Sequence, residues 1–204
     1  MSKILKHDLV IHVILILAAI LTFYPFIFMV MTSFKATPDF QHNFWGLPQW
    51  IQLSNYSDAW TRISGYVINS LVVSTTSAAG VLLIGSVSAF VFARFRFPGR
   101  EALFLMLLAL LMIPGILTLV PAFLLVKNLG LMNTYGALIV PYIAGGQIFA
   151  IFVMRSFFAS LPEELFESAR IDGANTFRLY SSICLPLSKP ILVTIAIMNI
   201  LGTW

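Results

Sequence analysis

The stretch ALFLMLLALLMIPGILTLVPAFLLV, residues 102–126, runs for 25 residues without a charge. A helix needs about 20 apolar residues to cross the roughly 30 Å hydrocarbon core of a bilayer, so this stretch is long enough to span a membrane. Three other charge-free stretches are at least as long, at residues 9–34, 63–93 and 128–154, and a fifth begins at residue 190. The sequence therefore predicts an all-α, multi-pass membrane helix bundle.

The composition supports lipid as the solvent of this chain. Of its 204 residues 59% are hydrophobic and 10% are charged, whereas soluble domains carry about 25% charged residues. Disorder requires low hydrophobicity with high net charge, and the chain shows the reverse. Cys184 is the only cysteine, and the three histidines lie scattered toward the N-terminus. We therefore predict neither a disulfide nor a metal site.

The first apolar stretch follows two lysines, and the fifth is the shortest of the five. Lys3 and Lys6 resemble the start of a cleaved signal peptide, but the apolar run that follows is far longer than the 7–15 residues of a signal core. No A-x-A cleavage site precedes Lys35, so we expect a retained span. The fifth stretch is too short to cross comfortably, and we expect a single transmembrane domain, residues 1–204, that is truncated within span five.

The basic residues are distributed unevenly between the two sets of loops. One set holds nine, namely Lys3, Lys6, Arg94, Arg96, Arg100, Arg155, Arg170, Arg178 and Lys189. The other set holds three, namely Lys35, Arg62 and Lys127. Because cytoplasmic loops carry the excess of lysine and arginine, we expect a cytoplasmic N-terminus, an external loop between spans one and two, and a cytoplasmic segment at residues 155–189.

Two spans contain residues that interrupt helices. These are Pro114-Gly115 and Pro121 in span three, and Pro141 and Gly145-Gly146 in span four. Proline removes a backbone hydrogen bond and kinks a helix, which suits a solute pathway that opens and closes and suits plain packing about equally well. The polar residues available to such a pathway are Gln147 and Asn199, and either could instead hydrogen-bond a neighbouring helix.

Residues 155–189 hold half of the eight acidic residues, namely Glu163, Glu164, Glu167 and Asp172. The run SLPE beginning at Ser160 matches a capping box and predicts a helix start. Gly173 predicts the end of that helix, and Asn175 or Thr176 can cap a second helix that Pro186 would break. The pattern indicates a helix-turn-helix outside the membrane with apolar residues available for docking.

A resemblance to a known family lies within residues 160–189, which we call the EAA segment. Glu167-Ser168-Ala169, Gly173 and Ile183-x-Leu185-Pro186 are similar to the EAA signature, E-A-A-x3-G-x9-I-x-L-P, of membrane subunits of binding-protein-dependent ABC importers. Every spacing matches, and Ser168 is the only departure. The flanking runs LPEEL at residues 161–165 and LPLSKP at residues 185–190 resemble the carbohydrate, MalG-type branch of that family.

The resemblance implies a permease subunit of an ATP-driven importer in the cell (inner) membrane that moves a sugar or oligosaccharide by alternating access. It implies a core of six spans, five of them present here. Implied partners are a second permease, two cytoplasmic ATPase subunits and an external solute-binding protein. ATP and Mg would be used by the ATPase, with no cofactor on this chain. The residues it places at the ATPase contact are Glu167, Ser168, Ala169, Asp172, Gly173, Ile183, Leu185 and Pro186.

Other functions remain as alternatives. The chain could be an ABC permease for another small polar solute, or a scaffold that only assembles other subunits. An ion-coupled carrier usually keeps ionisable residues within its spans, and the complete spans here have no acidic or basic residue. The sequence lacks a G-x-x-x-x-G-K-[ST] loop and any nucleophile with a matching base, so we predict no enzyme activity and no catalytic residue. A nucleic-acid partner is not expected.

Overall fold

A computed structural model describes the backbone of residues 2–204 and the side chains of residues 8–204. All regular secondary structure in the described part is helical, which confirms the all-α prediction. The helices are α1 (Ser2–Ser33), α2 (Thr37–His42), α3 (Ser54–Arg94), α4 (Arg100–Ala109), α5 (Gly115–Asn128), α6 (Gly136–Ser160), α7 (Glu163–Ile171), α8 (Thr176–Arg178), α9 (Leu185–Leu187) and α10 (Lys189–Thr203). A 3₁₀ turn, Leu110–Met112, follows α4, and a π-helical turn, Leu179–Cys184, separates α8 from α9.

Within residues 8–204, three helices are long and apolar enough to cross a membrane, namely α1 from Asp8 onward, α3 and α6. Two bent pairs would add one span each. The helix axis bends by 100° between Arg100–Met112 and Gly115–Asn128. It bends by 75° between Thr176–Leu187 and Lys189–Thr203. The helices therefore supply three to five candidate spans, and five is the number of charge-free stretches in the sequence.

The third predicted span is broken at its first proline. Ile113 is extended, with φ −78° and ψ 117°, because the ring of a proline disfavours helical backbone in the residue before it. Helix α5 begins directly after Pro114. By contrast, Pro121 and Pro141 lie inside α5 and α6, which continue through them. Of these three prolines, only Pro114 divides a predicted span.

The start of the fourth predicted span lies later than the charge pattern indicated. Residues 129–135 form a turn instead of continuing the helix. Gly130 adopts φ 68° in this turn, and Leu131 N donates to Val126 O at 3.1 Å. A left-handed glycine just past a helix end closes the helix and redirects the chain. Helix α6 therefore begins at Gly136.

The chain forms two compact units, Met1–Gly65 and Tyr66–Trp204. The first unit has an unusual polar anchor just after α1, where the side chain of Lys35 is buried with only 3% of the residue exposed. Its ammonium group donates to the carbonyl oxygens of Asn43 and Phe44. A buried ammonium group needs such acceptors. Lys35 therefore holds the backbone at Asn43 and Phe44 close to the end of α1.

The second unit has its core where α3 and α6 meet the EAA segment. The core contains Val81, Ala89, Phe90, Ala150, Met154, Phe158, Phe166, Leu179, Cys184 and Ile195. The two long helices approach closely at Gly85, where a methyl group would lie 2.9 Å from Met154 Cε and 3.4 Å from Ala150 Cβ. Helix α10 packs against α6. The EAA segment thus shares one apolar core with the long helices.

Candidate coupling site

The first helix of the EAA segment begins three residues later than predicted. Ser160 is the last residue of α6, and its hydroxyl group donates to Phe157 O at 2.7 Å. A serine within a helix often bonds backward to the preceding turn in this way, so it does not form the predicted capping box. Helix α7 begins at Glu163, directly after Pro162.

The predicted glycine turn is present at the end of α7. Gly173 has φ 79°, a conformation in which a Cβ atom is disfavoured. Its N–H donates to Arg170 O at 3.0 Å, and Ala174 N donates to Ala169 O at 2.9 Å. These bonds satisfy carbonyl groups that a helix end leaves open. The prediction that α7 ends at Gly173 is confirmed to within two residues.

The second helix is irregular and continues past Pro186, contrary to the prediction. Asn175 caps it as expected, since its Oδ1 accepts a 2.9 Å hydrogen bond from the backbone N–H three positions later. Pro186 lies in the first turn of α9, and the π-helical turn Leu179–Cys184 precedes it. Proline lacks an N–H and crowds the preceding turn, and a π turn offers a wider backbone there. The break comes at Ser188, where the axis bends by 75°.

The outward face of α7 and the following turn is acidic with apolar positions at its edges. The exposed residues of α7 and this turn are Glu163, Glu164, Leu165, Glu167, Ser168, Arg170, Ile171, Asp172 and Gly173, so acidic side chains outnumber the one basic side chain. Ile171 is 86% exposed, and Phe177 of the second helix is 73% exposed. Within residues 8–204 Glu167 forms no ion pair, so its carboxylate is open to contact with another molecule. Apolar groups exposed beside open carboxylates are typical of docking surfaces.

The inward face of the EAA segment attaches it to the core. Phe166 is fully buried there, and Ala169 and Ile183 are partly buried against the same cluster. Leu185 is half-buried, whereas Pro186 is exposed. The eight predicted loop residues are therefore divided. Glu167, Ser168, Asp172 and Gly173 share the outward surface, and the others belong to the packing beneath it or to the second helix.

Arg94, the last residue of α3, is a site residue that the sequence pattern marks only as a positive charge. Its side chain is 7% exposed. One terminal nitrogen donates to Phe158 O at 2.7 Å and Leu161 O at 2.8 Å, and the other pairs with the carboxylate of Glu163. The guanidinium carbon lies 3.9 Å from the ring centroid of Phe166. A basic residue at a helix C-terminus is the only signal in the sequence.

The two residues predicted for a solute pathway do not share a cavity. Asn199 of α10 lines a cavity of about 310 Å³ together with Gly145 and Gly146 of α6. Gln147 faces α3 instead, with its Nε2 3.4 Å from Gly80 O. Gln147 Oε1 and Asn199 Oδ1 are buried without a hydrogen-bond partner among the described residues. In that same part of the chain, no group of three potential metal ligands is present.

The family model described as "Binding-protein-dependent transport system inner membrane component" matches residues 81–204, which run from within α3 through α10. The chain belongs to this family. The resemblance read from the EAA segment is thereby confirmed, and it lies within the matched region. Membership of an inner membrane family agrees with the long apolar helices.

Relatives with assigned functions extend the match toward the N-terminus. The diacetylchitobiose uptake system permease protein NgcG of Streptomyces coelicolor is 38% identical over 195 residues, which cover 95% of this chain and 65% of that protein. The melibiose/raffinose/stachyose import permease protein MelC of Bacillus subtilis is 34% identical over 199 residues, or 95% of this chain and 72% of that protein. The chain thus spans about two thirds of the length of such relatives.

A solved structure shows the same fold. It is the crystal structure of a bacterial ABC transporter involved in the import of the acidic polysaccharide alginate. The TM-score is 0.84 at 23% sequence identity, and the match covers 98% of this chain and 71% of the other. The match includes nearly every described helix, so the two chains share a fold.

Proposed function

We propose that this chain is the membrane-spanning permease subunit of an ATP-driven importer for a sugar or oligosaccharide, with the EAA segment as its contact with a cytoplasmic ATPase. The observation that carries the proposal is the division of α7 into two faces. Glu167 is exposed with its carboxylate open, while Phe166 beside it is fully buried in the core. A segment built in this way can bind a partner on one side and move the bundle on the other.

The contact with the ATPase would combine charge and apolar surface. Glu164, Glu167 and Asp172 supply negative charge for basic residues of the partner, which steers association and fixes its register. The exposed side chains of Ile171 and Phe177 supply apolar area at the edges. Gly173 has no side chain, so the backbone there could approach the ATPase closely. ATP, with Mg, would be hydrolysed in the ATPase and not on this chain.

The orientation follows from the charge distribution of the loops. Nine basic residues lie on the side of the EAA segment and three on the other, which supports a cytoplasmic N-terminus. We count five spans by treating α4 with α5 as one broken span and α10 as the fifth. A second permease would complete the pathway, and an external solute-binding protein would deliver the solute.

The solute class is supported by the relatives and by the cavity beside Asn199. The two relatives described above are named for oligosaccharide uptake. Among the described residues no charged side chain lines the cavity, whose polar groups include Asn199 and Tyr142. An amide and an aromatic hydroxyl suit the hydroxyl groups of an uncharged sugar. We place Asn199 at the solute pathway on this ground, with Gln147 as a helix-facing residue near it.

Charge reversal at Glu167 tests the coupling assignment. In the complete protein expressed with its partner subunits, we expect Glu167→Arg to weaken co-purification of the ATPase at least tenfold, which corresponds to about 1.4 kcal/mol. The matched control is Asp58→Arg, which reverses an exposed acidic residue in the external part of α3 and should leave ATPase binding unchanged. Normal ATPase binding and ATP-dependent uptake by Glu167→Arg would contradict the proposal, as would uptake driven by an ion gradient in vesicles without ATP.

A further inference from the structure

We infer that Arg94 is the positioning residue that transmits movement of the EAA segment to α3 and α6. This inference rests on the proposed coupling function. It concerns the inward side of α7, whereas the ATPase contact concerns the outward side. Arg94 does not line the solute cavity, and among the acidic residues of α7 it pairs with Glu163 at the helix start and not with Glu164 or Glu167, so its role would be to hold moving parts in register.

The contacts of Arg94 join three helices through one rigid group. The carbonyl groups of Phe158 and Leu161 belong to the C-terminal end of α6, where a helix leaves its last acceptors open. Both accept hydrogen bonds from the same nitrogen of Arg94, and Glu163 at the start of α7 pairs with the other. A guanidinium group is planar with its donors in fixed directions, so the end of α3 sets the angle between α6 and α7.

The burial of this charge indicates that Arg94 serves to orient the helices it contacts and not to stabilise the fold. Removing a guanidinium group from water is costly, and a well-packed apolar residue often stabilises a fold as much or more. Arg94 Nε is buried without an acceptor in the described part of the chain, so the arrangement is not the most stable one available. The charged side chain supplies direction, which an apolar replacement would not.

A second contact prevents the EAA segment from swivelling about Arg94. The hydroxyl groups of Ser86 in α3 and Tyr180 in the π-helical turn lie 2.7 Å apart. Ser86 precedes Arg94 by eight residues, about 12 Å along a helix axis. Two contacts at that separation fix a direction, whereas one would leave a pivot. A displacement of α7 is therefore passed to α3 as a whole.

The test is the amount of solute imported per ATP hydrolysed by the assembled transporter in proteoliposomes. Arg94→Lys keeps the charge and removes the planar fork. We expect normal assembly and ATP hydrolysis with a ratio of import to hydrolysis at least tenfold lower. The matched control is Arg96→Lys, since Arg96 lies two residues later, is exposed and forms no ion pair within residues 8–204. This control should keep the wild-type ratio.

Further variants separate transmission from stability. Glu163→Gln should lower the ratio in part, and the double variant with Arg94→Lys should be no worse than Arg94→Lys alone, because both changes break one junction. A lower yield of complexes that keep the wild-type ratio would mean a merely structural role and would overturn the inference. Failure of the proposed function would instead show in the unaltered transporter, as an absence of ATP-dependent import.

Discussion

At the scale of the residue, Gly173 and Gly99 form a natural pair, since both have φ 79° and an added Cβ atom at either would meet no neighbour within 4 Å in the described part of the chain. Alanine at either position should therefore cost the same backbone strain, about 1–2 kcal/mol. We expect Gly173→Ala and Gly99→Ala to lower the midpoint of thermal unfolding in detergent by similar amounts.

The two glycine variants should differ in coupling. Only Gly173 lies on the proposed ATPase contact, so Gly173→Ala should also reduce co-purification of the ATPase, while Gly99→Ala should not. Equal ATPase binding by both variants would show that Gly173 serves the turn alone.

Gly173 and Arg94 also show what a sequence discloses about single residues. The glycine turn depends on the backbone within a few positions, so a glycine at the end of the predicted helix is enough to predict it. The hydrogen-bond partners of Arg94 lie 64 to 69 residues away, and two of them are backbone carbonyl groups. Side-chain patterns carry no trace of a main-chain acceptor, and the junction could be recognised only from the folded chain.

At the scale of the element, the break between α4 and α5 depends on Pro114. Replacing it with alanine restores an N–H and frees Ile113 to become helical, and a continuous helix satisfies its own backbone in lipid. For spin labels at Leu103 and Leu125, 1.5 Å per residue gives about 21 Å for the present 100° bend and about 33 Å for a straight helix. We expect Pro114→Ala to shift the measured distance toward the longer value.

The control for this element is Pro121→Ala, because Pro121 already lies inside a continuing helix. It should leave the distance between the labels unchanged. If Pro114→Ala also leaves that distance unchanged, packing against neighbouring helices holds the bend and the proline only accommodates it.

The helices also show where local signals compete. The run SLPE from Ser160 has the residue types of a capping box. Ser160 is still part of α6, however, and a residue within one helix cannot serve as the N-cap of the next. Pro114 and Pro121 are seven residues apart in one apolar stretch, and only the first divides it. The residues before and after each proline, and the packing of each turn, decide between a kink and a break.

At the scale of the whole molecule, the charge distribution predicts the sidedness of the loops. A cysteine at Ser57 should react with a membrane-impermeant maleimide added to intact cells, whereas a cysteine at Ser168 should react only in inside-out vesicles. The native Cys184 is fully buried and should stay unlabelled in both. Labelling of the Ser168→Cys protein in intact cells would reverse the assigned orientation.

The contacts on the two sides of α7 should respond differently to ionic strength. One is the proposed contact of Glu167 with the ATPase, and the other is the internal contact with Arg94. Dissolved ions screen exposed charges over about 8–10 Å near physiological salt and over about 3 Å at 1 M. The carboxylate of Glu167 lies within reach of that screening, whereas the side chain of Arg94, which is 7% exposed, is largely shielded from it. Concentrated salt should therefore detach the ATPase from an EAA segment that stays bound to its own helices, and the detached permease would keep the shape needed to bind again.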